Sequence, residues 1–73
     1  MNRDILKGKW NEIKGDLKMK WGNLTDDDWS YISGDREKLI GTLQQRYGRA
    51  KEQVTREVDM FFDDWEKRHR KAS

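Results

Sequence analysis

The chain has one histidine, His69, set in the basic run Glu66-Lys67-Arg68-His69-Arg70-Lys71, and no cysteine. Disulfide, zinc–thiolate and thiol redox chemistry are therefore excluded, and a reducing compartment is compatible. Catalysis would require a nucleophile with its base, or a metal set, held on a packed scaffold. No triad can be assembled from these residues, and His69 reads as an exposed basic residue near a chain end. The expectation is a non-enzymatic protein with no catalytic, metal or cofactor residues and no cofactor.

Two acidic groups merit a metal reading. Asp26-Asp27-Asp28 lacks the alternate-residue spacing and the distant glutamate of a calcium loop, and reads instead as a helix start. Asp59, Asp63 and Glu66 fall on neighbouring turns of one helix, where a solvated acidic face is the simpler account than weak cation binding.

The basic residues offer a broader chemistry. Lys14, Lys18, Lys20, Arg46 and Arg49, with Lys67, Arg68, Arg70 and Lys71 as an arm, are candidate contacts to a polyanion, nucleic acid in particular. Against that reading, 14 acidic residues oppose 16 basic ones, for a net charge of +2. Charge is nonetheless blocked along the chain: residues 1–21 carry +3, 22–35 carry −4, 36–58 carry +3 and 59–73 none. Such blocks usually mark solvated helix faces.

Those side chains must be positioned by helices. Leu6, Trp10, Ile13, Leu17, Trp21 and Leu24 form the stripe of one amphipathic helix, expected from about Asp4 to Trp21. Asn2 or Arg3-Asp4 opens it, and Gly22-Asn23, residues that tolerate the left-handed conformation, close it. Thr25 is the expected N-cap of a short helix that buries Trp29 and Ile32 and ends at Gly34. Asp35 caps a third helix carrying Leu39, Ile40, Leu43 and Tyr47, which Gly48 terminates. In the last helix Ala50, Val54, Val58, Phe61 or Phe62, and Trp65 share a side, and fraying is expected beyond Trp65. Its apolar stripe and basic end resemble a membrane-surface helix, but burial in a core competes for the same face.

The absence of proline and of any alternating β-branched run makes the class all-α, a small bundle of about four helices. With 73 residues, 33% of them hydrophobic and 41% charged, the chain holds one domain, placed at 1–65, with a basic tail at 66–73. The longest apolar run, Met60-Phe61-Phe62, is far too short to span a membrane. Met1 to Leu6 lacks the apolar stretch of a secretory signal, so a cytoplasmic address is expected.

All six glycines fall into two sets of seven-residue spacing, Gly8, Gly15, Gly22 and Gly34, Gly41, Gly48, related by a shift of 26 residues. The same shift matches Leu6 to Ile32, Ile13 to Leu39, Leu17 to Leu43, Lys20 to Arg46 and Trp21 to Tyr47. Duplication would give two similar helical hairpins on one core; the alternative is that Gly22, Gly34 and Gly48 are merely helix stops. Within apolar stripes Gly15 and Gly41 call for a packing reason, and close helix approach is the expected one.

The residues Met1-Asn2-Arg3-Asp4, Gly8-Lys9-Trp10, Lys14-Gly15 and Trp21-Gly22-Asn23-Leu24-Thr25-Asp26-Asp27-Asp28, followed by Gly34-Asp35-Arg36-Glu37-Lys38-Leu39-Ile40-Gly41 and Gln45-Arg46-Tyr47-Gly48, carry a resemblance. Over roughly residues 1–58 the chain resembles the CsbD-like family of small bacterial stress-response proteins, in its YjbJ-type branch. The resemblance implies a helical bundle that accumulates in osmotic or stationary-phase stress, and no reaction. It names no partner, and a monomer or weak dimer fits so small a core.

Overall fold

The structure is a computed structural model that describes residues 6–69. Among these residues every regular element is helical. Helical residues 6–8 precede α1 (Trp10–Lys20), α2 (Asp26–Ile32), α3 (Arg36–Tyr47) and α4 (Lys51–His69).

The expected continuous helix from Asp4 to Trp21 is broken at Lys9, which takes φ −123° and ψ 30° and offers no side-chain cap. Gly8, which supports a helix poorly, stands beside the break. The Lys9 carbonyl accepts from the N–H groups of Glu12 and Ile13, so α1 starts afresh there. Gly34 shows why the stagger matters: a Cβ at this buried residue would lie 3.5 Å from Lys7 Cα, 3.6 Å from the Leu6 carbonyl oxygen and 3.7 Å from Trp10 Cβ. The break thus accompanies a close approach of the α2–α3 junction, with Leu6 and Ile13 both fully buried on either side of it.

Closure of α1 also differs from the expectation. Neither Gly22 nor Asn23 is left-handed; positive φ among the described residues belongs to Ser33, Gly34 and Gly48. The helix ends one step earlier, where Trp21 turns extended at φ −119° and ψ 77° while its N–H still reaches the Leu17 carbonyl. That turn lets the indole enter the core against Phe61, ring centroids 5.7 Å apart.

Local capping at α2 and α3 follows from the residue types. Thr25 and Asp28 form a reciprocal capping box, Thr25 Oγ1 accepting from the Asp28 N–H at 3.1 Å and the Asp28 carboxylate accepting from the Thr25 N–H at 3.0 Å. Ser33 and Gly34, both left-handed, close α2. The Asp35 side chain accepts from the Lys38 N–H, and Gly48 at φ 63° ends α3.

Packing joins α3 to both α2 and α4. The core gathers Leu6, Ile13, Leu17, Trp21, Trp29, Ile32, Leu39, Leu43, Val58, Phe62 and Trp65, with Trp10 and Tyr47 half-buried against it. Phe61 and Phe62 are both inside, in an edge-to-face pair at 5.4 Å. A shift of 26 residues carries α1 onto residues 36–46 of α3 and superposes the buried pairs Leu6/Ile32, Ile13/Leu39 and Leu17/Leu43. The mid-helix glycines do not act as expected: a Cβ at Gly15 or Gly41 would meet nothing within 4 Å. Both face outward, and the close backbone approach occurs at Gly34 instead.

Beyond Trp65 the helix continues to His69, whose ring stacks on the Trp65 indole at 4.0 Å and whose Nδ1 lies 2.9 Å from the Trp65 carbonyl oxygen. This stack supplies an anchor within the expected basic tail at 66–73. No helix among the described residues is long and apolar enough to cross a membrane.

Candidate functional site

A polar group bonded on several sides forms where α2 begins and α3 ends. The capping box holds the Asp28 carboxylate close to Thr25, and from across the junction Arg46 grips the same carboxylate with both ends of its fork, Nε to Oδ2 and Nη2 to Oδ1, each at 2.8 Å. One residue further along, the Tyr47 hydroxyl accepts from the Asn23 N–H at 3.3 Å. Two segments more than a dozen residues apart are thereby fastened through side chains that each contributes.

Electrostatics follow from this geometry. Hydrogen bonds from Arg46 and from the Thr25 N–H hold the Asp28 carboxyl down at about 2, against the opposing effect of its desolvation. The same pairing raises Arg46. A carboxylate held so far below neutrality is a poor proton acceptor, and its oxygens already accept from three groups, so its chemistry is that of a fixed acceptor. The three consecutive acids diverge: Asp28 turns inward, while Asp26 stays in solvent, 3.6 Å from Lys18. Asp59 pairs with Arg36, which takes it from the imagined cation set with Asp63 and Glu66.

The basic candidates separate into two groups. Lys18, Arg46 and Arg49 are engaged within the chain: Lys18 with Asp26, Arg46 with Asp28, and Arg49 with both oxygens of Glu57 at 2.9 and 2.8 Å while lying over the Tyr47 ring. Lys20, Lys67 and Arg68 instead line one groove of about 510 Å³ beside Met60 and Phe61. Lys14 is half-buried on α1, apart from that groove. Arg70 and Lys71 lie outside the described residues.

Two contacts were not foreseen from the sequence. Trp65 Nε1 donates to Asp16 Oδ2 at 2.9 Å and ties α4 to α1 across 49 residues. The Arg46–Asp28 bridge likewise has no local signal; the one available pointer was that both residues belong to the segments carrying the family resemblance.

Comparison with known proteins places these segments. Residues 4–56 match the family model described as CsbD-like. The chain is 49% identical over 69 residues to the UPF0337 protein YjbJ of Escherichia coli O6:H1, covering 94% of each chain. It is 51% identical over 63 residues to a UPF0337 protein of Bordetella pertussis, covering 86% of this chain and 96% of that one. A UPF0337 protein of Pseudomonas aeruginosa is 49% identical over 63 residues, 86% of this chain and 97% of its own. With the family model matching residues 4–56 and relatives about half identical over most of its length, the chain belongs to the CsbD-like family.

Proposed function

We infer that this CsbD-like protein is a non-enzymatic general stress-response protein that acts by binding or protection. The observation that carries this reading is the use made of the signature residues. Thr25, Asp28, Arg46 and Tyr47 bond to one another or to backbone, so the segments that distinguish the family serve to hold a fold. The same reading makes the protein cytoplasmic, and a monomer or weak dimer.

Quantifying the protein by immunoblot through an osmotic upshift and through entry into stationary phase tests it. A rise in level, with loss of viability in a strain lacking the gene under the same stress, is expected. A level that stays flat under every stress applied would overturn the physiological half.

The alternative, a nucleic-acid-binding module, is weakened by the intramolecular pairing of Lys18, Arg46 and Arg49. Fluorescence anisotropy with a labelled duplex is expected to show no binding at ~0.15 M salt, where phosphate contacts are already screened. Micromolar affinity there would reinstate that alternative.

A further inference from the structure

Among the described residues Lys18, Arg36, Arg46 and Arg49 each bridge to an acid, whereas three other cations gather around one groove. Lys20 in the last turn of α1 and Lys67 and Arg68 in the last turn of α4 converge on the groove of about 510 Å³ floored by Met60 and Phe61. Met60 is 66% exposed, one of three large apolar side chains, with Met19 and Tyr31, that stand in solvent among the described residues. Of the two acids at the rim, Glu57 has both oxygens taken by Arg49. Asp64 alone remains to offset three cations. Lys20 is further held with its ammonium 5.3 Å from the Trp21 ring centroid, which keeps that charge beside the groove.

We propose that this groove binds a single-chain anionic amphiphile, a fatty-acid carboxylate of about ten carbons, with the head group among Lys20, Lys67 and Arg68 and the alkyl chain on Met60 and Phe61. Charge selects the head group: the surplus of cations calls for an anion, and the guanidinium of Arg68 suits the planar fork of a carboxylate. Size suits a small molecule, since the volume falls in the roughly 300–1,000 Å³ range of small-ligand sites. The apolar floor selects a tail. This site is independent of the stress-response reading, because it rests on the groove's own residues.

Calorimetry with decanoate, octanoate and decanol, together with the NMR shift of the Met60 methyl group, tests the proposal on the full chain. Decanoate is expected to bind and to move the Met60 signal, with octanoate weaker by about tenfold for its two missing methylenes. Decanol, which lacks the charge, should bind at least about tenfold more weakly than decanoate. The triple variant K20Q/K67Q/R68Q changes exposed side chains only and should bring decanoate down to the level of decanol. D64N should tighten decanoate and leave decanol unchanged. Absence of decanoate binding up to ~1 mM, equal binding of decanoate and decanol, or no effect of the triple variant would each overturn the assignment.

Discussion

Alanine at Gly15 or Gly41 is expected to stabilise this protein, and alanine at Gly34 or Gly48 to destabilise it, although all four belong to the same seven-residue glycine pattern. At Gly15 and Gly41 the backbone is helical and an added Cβ meets nothing within 4 Å. Replacing glycine by alanine there recovers helix propensity and removes unfolded-chain entropy, together about 0.5–1 kcal/mol at each site. For a domain of this size that corresponds to a rise in Tm of roughly 2–8 °C per substitution.

At Gly34 the balance reverses for a reason other than space. The nearest atoms to an added Cβ lie at 3.5–3.7 Å, ordinary contact distances, but φ is +81°. Holding an L-residue there costs about 1–2 kcal/mol, offset by about 0.4–1 kcal/mol from the stiffer unfolded chain, a net loss of about 1 kcal/mol. Gly48 at φ +63°, with no neighbour to contact, should lose about the same amount. Thermal melts followed by far-UV circular dichroism, with urea titration for ΔG, separate the two signs. A destabilised Gly15→Ala or Gly41→Ala would refute the reasoning, since it would mean that the missing side chain admits a neighbour. A neutral Gly34→Ala would refute the strain account.

Asp28→Asn should destabilise the protein at neutral pH, and the gap to wild type should narrow on acidification. The folded state holds the carboxyl at about 2, below its ordinary 3.8, so its contribution is full above about pH 4 and fades as pH falls towards 2. Urea midpoints from pH 7 to pH 2 measure this, and a constant gap would contradict it. Phe62→Ala removes a fully buried ring and should cost about 3–5 kcal/mol, enough to leave a marginal domain largely unfolded; a cooperative melt near the wild-type Tm would argue against the core assignment. Trp65→Phe deletes the indole donor to Asp16 and should cost about 1–2 kcal/mol, read as a lowered urea midpoint; an Asp16→Asn, Trp65→Phe cycle with zero coupling would remove that bond from the account.

Which features were legible in the sequence depends on how far their causes extend along the chain. Thr25, Asp35 and Gly48 were readable as caps because a helix end is satisfied by side chains or conformations within three or four residues of it. The stripes from Ile13 to Leu17, from Leu39 to Leu43 and from Val54 to Trp65 were readable because helical periodicity is equally local. Where a distant segment decides the outcome, the local reading misplaces it. The helix break at Lys9 accompanies the approach of Gly34, 25 residues downstream, and nothing in Leu6-Lys7-Gly8-Lys9-Trp10 reports that approach. Trp21 ends α1 with its ring packed against Phe61, 40 residues downstream, a contact that the adjacent Gly22 does not report.

The candidate binding residues obey the same division. Counted along the chain, Arg46, Arg49 and Lys20 are alike, three cations near helix ends. In space Arg46 faces Asp28 and Arg49 faces Glu57, while Lys20 meets two further cations from α4 around an exposed methionine. A cation already bridged to a carboxylate has to break that bridge before it can hold an external anion, whereas Lys20, Lys67 and Arg68 gain from one. Charge reversal therefore discriminates between them: Arg46→Glu should lower stability through the Asp28 contact, and Lys20→Glu should leave the melt close to wild type while weakening decanoate binding in the groove towards the level of decanol. If Arg46→Glu melted like wild type, the division of the basic residues into structural and available sets would have no basis.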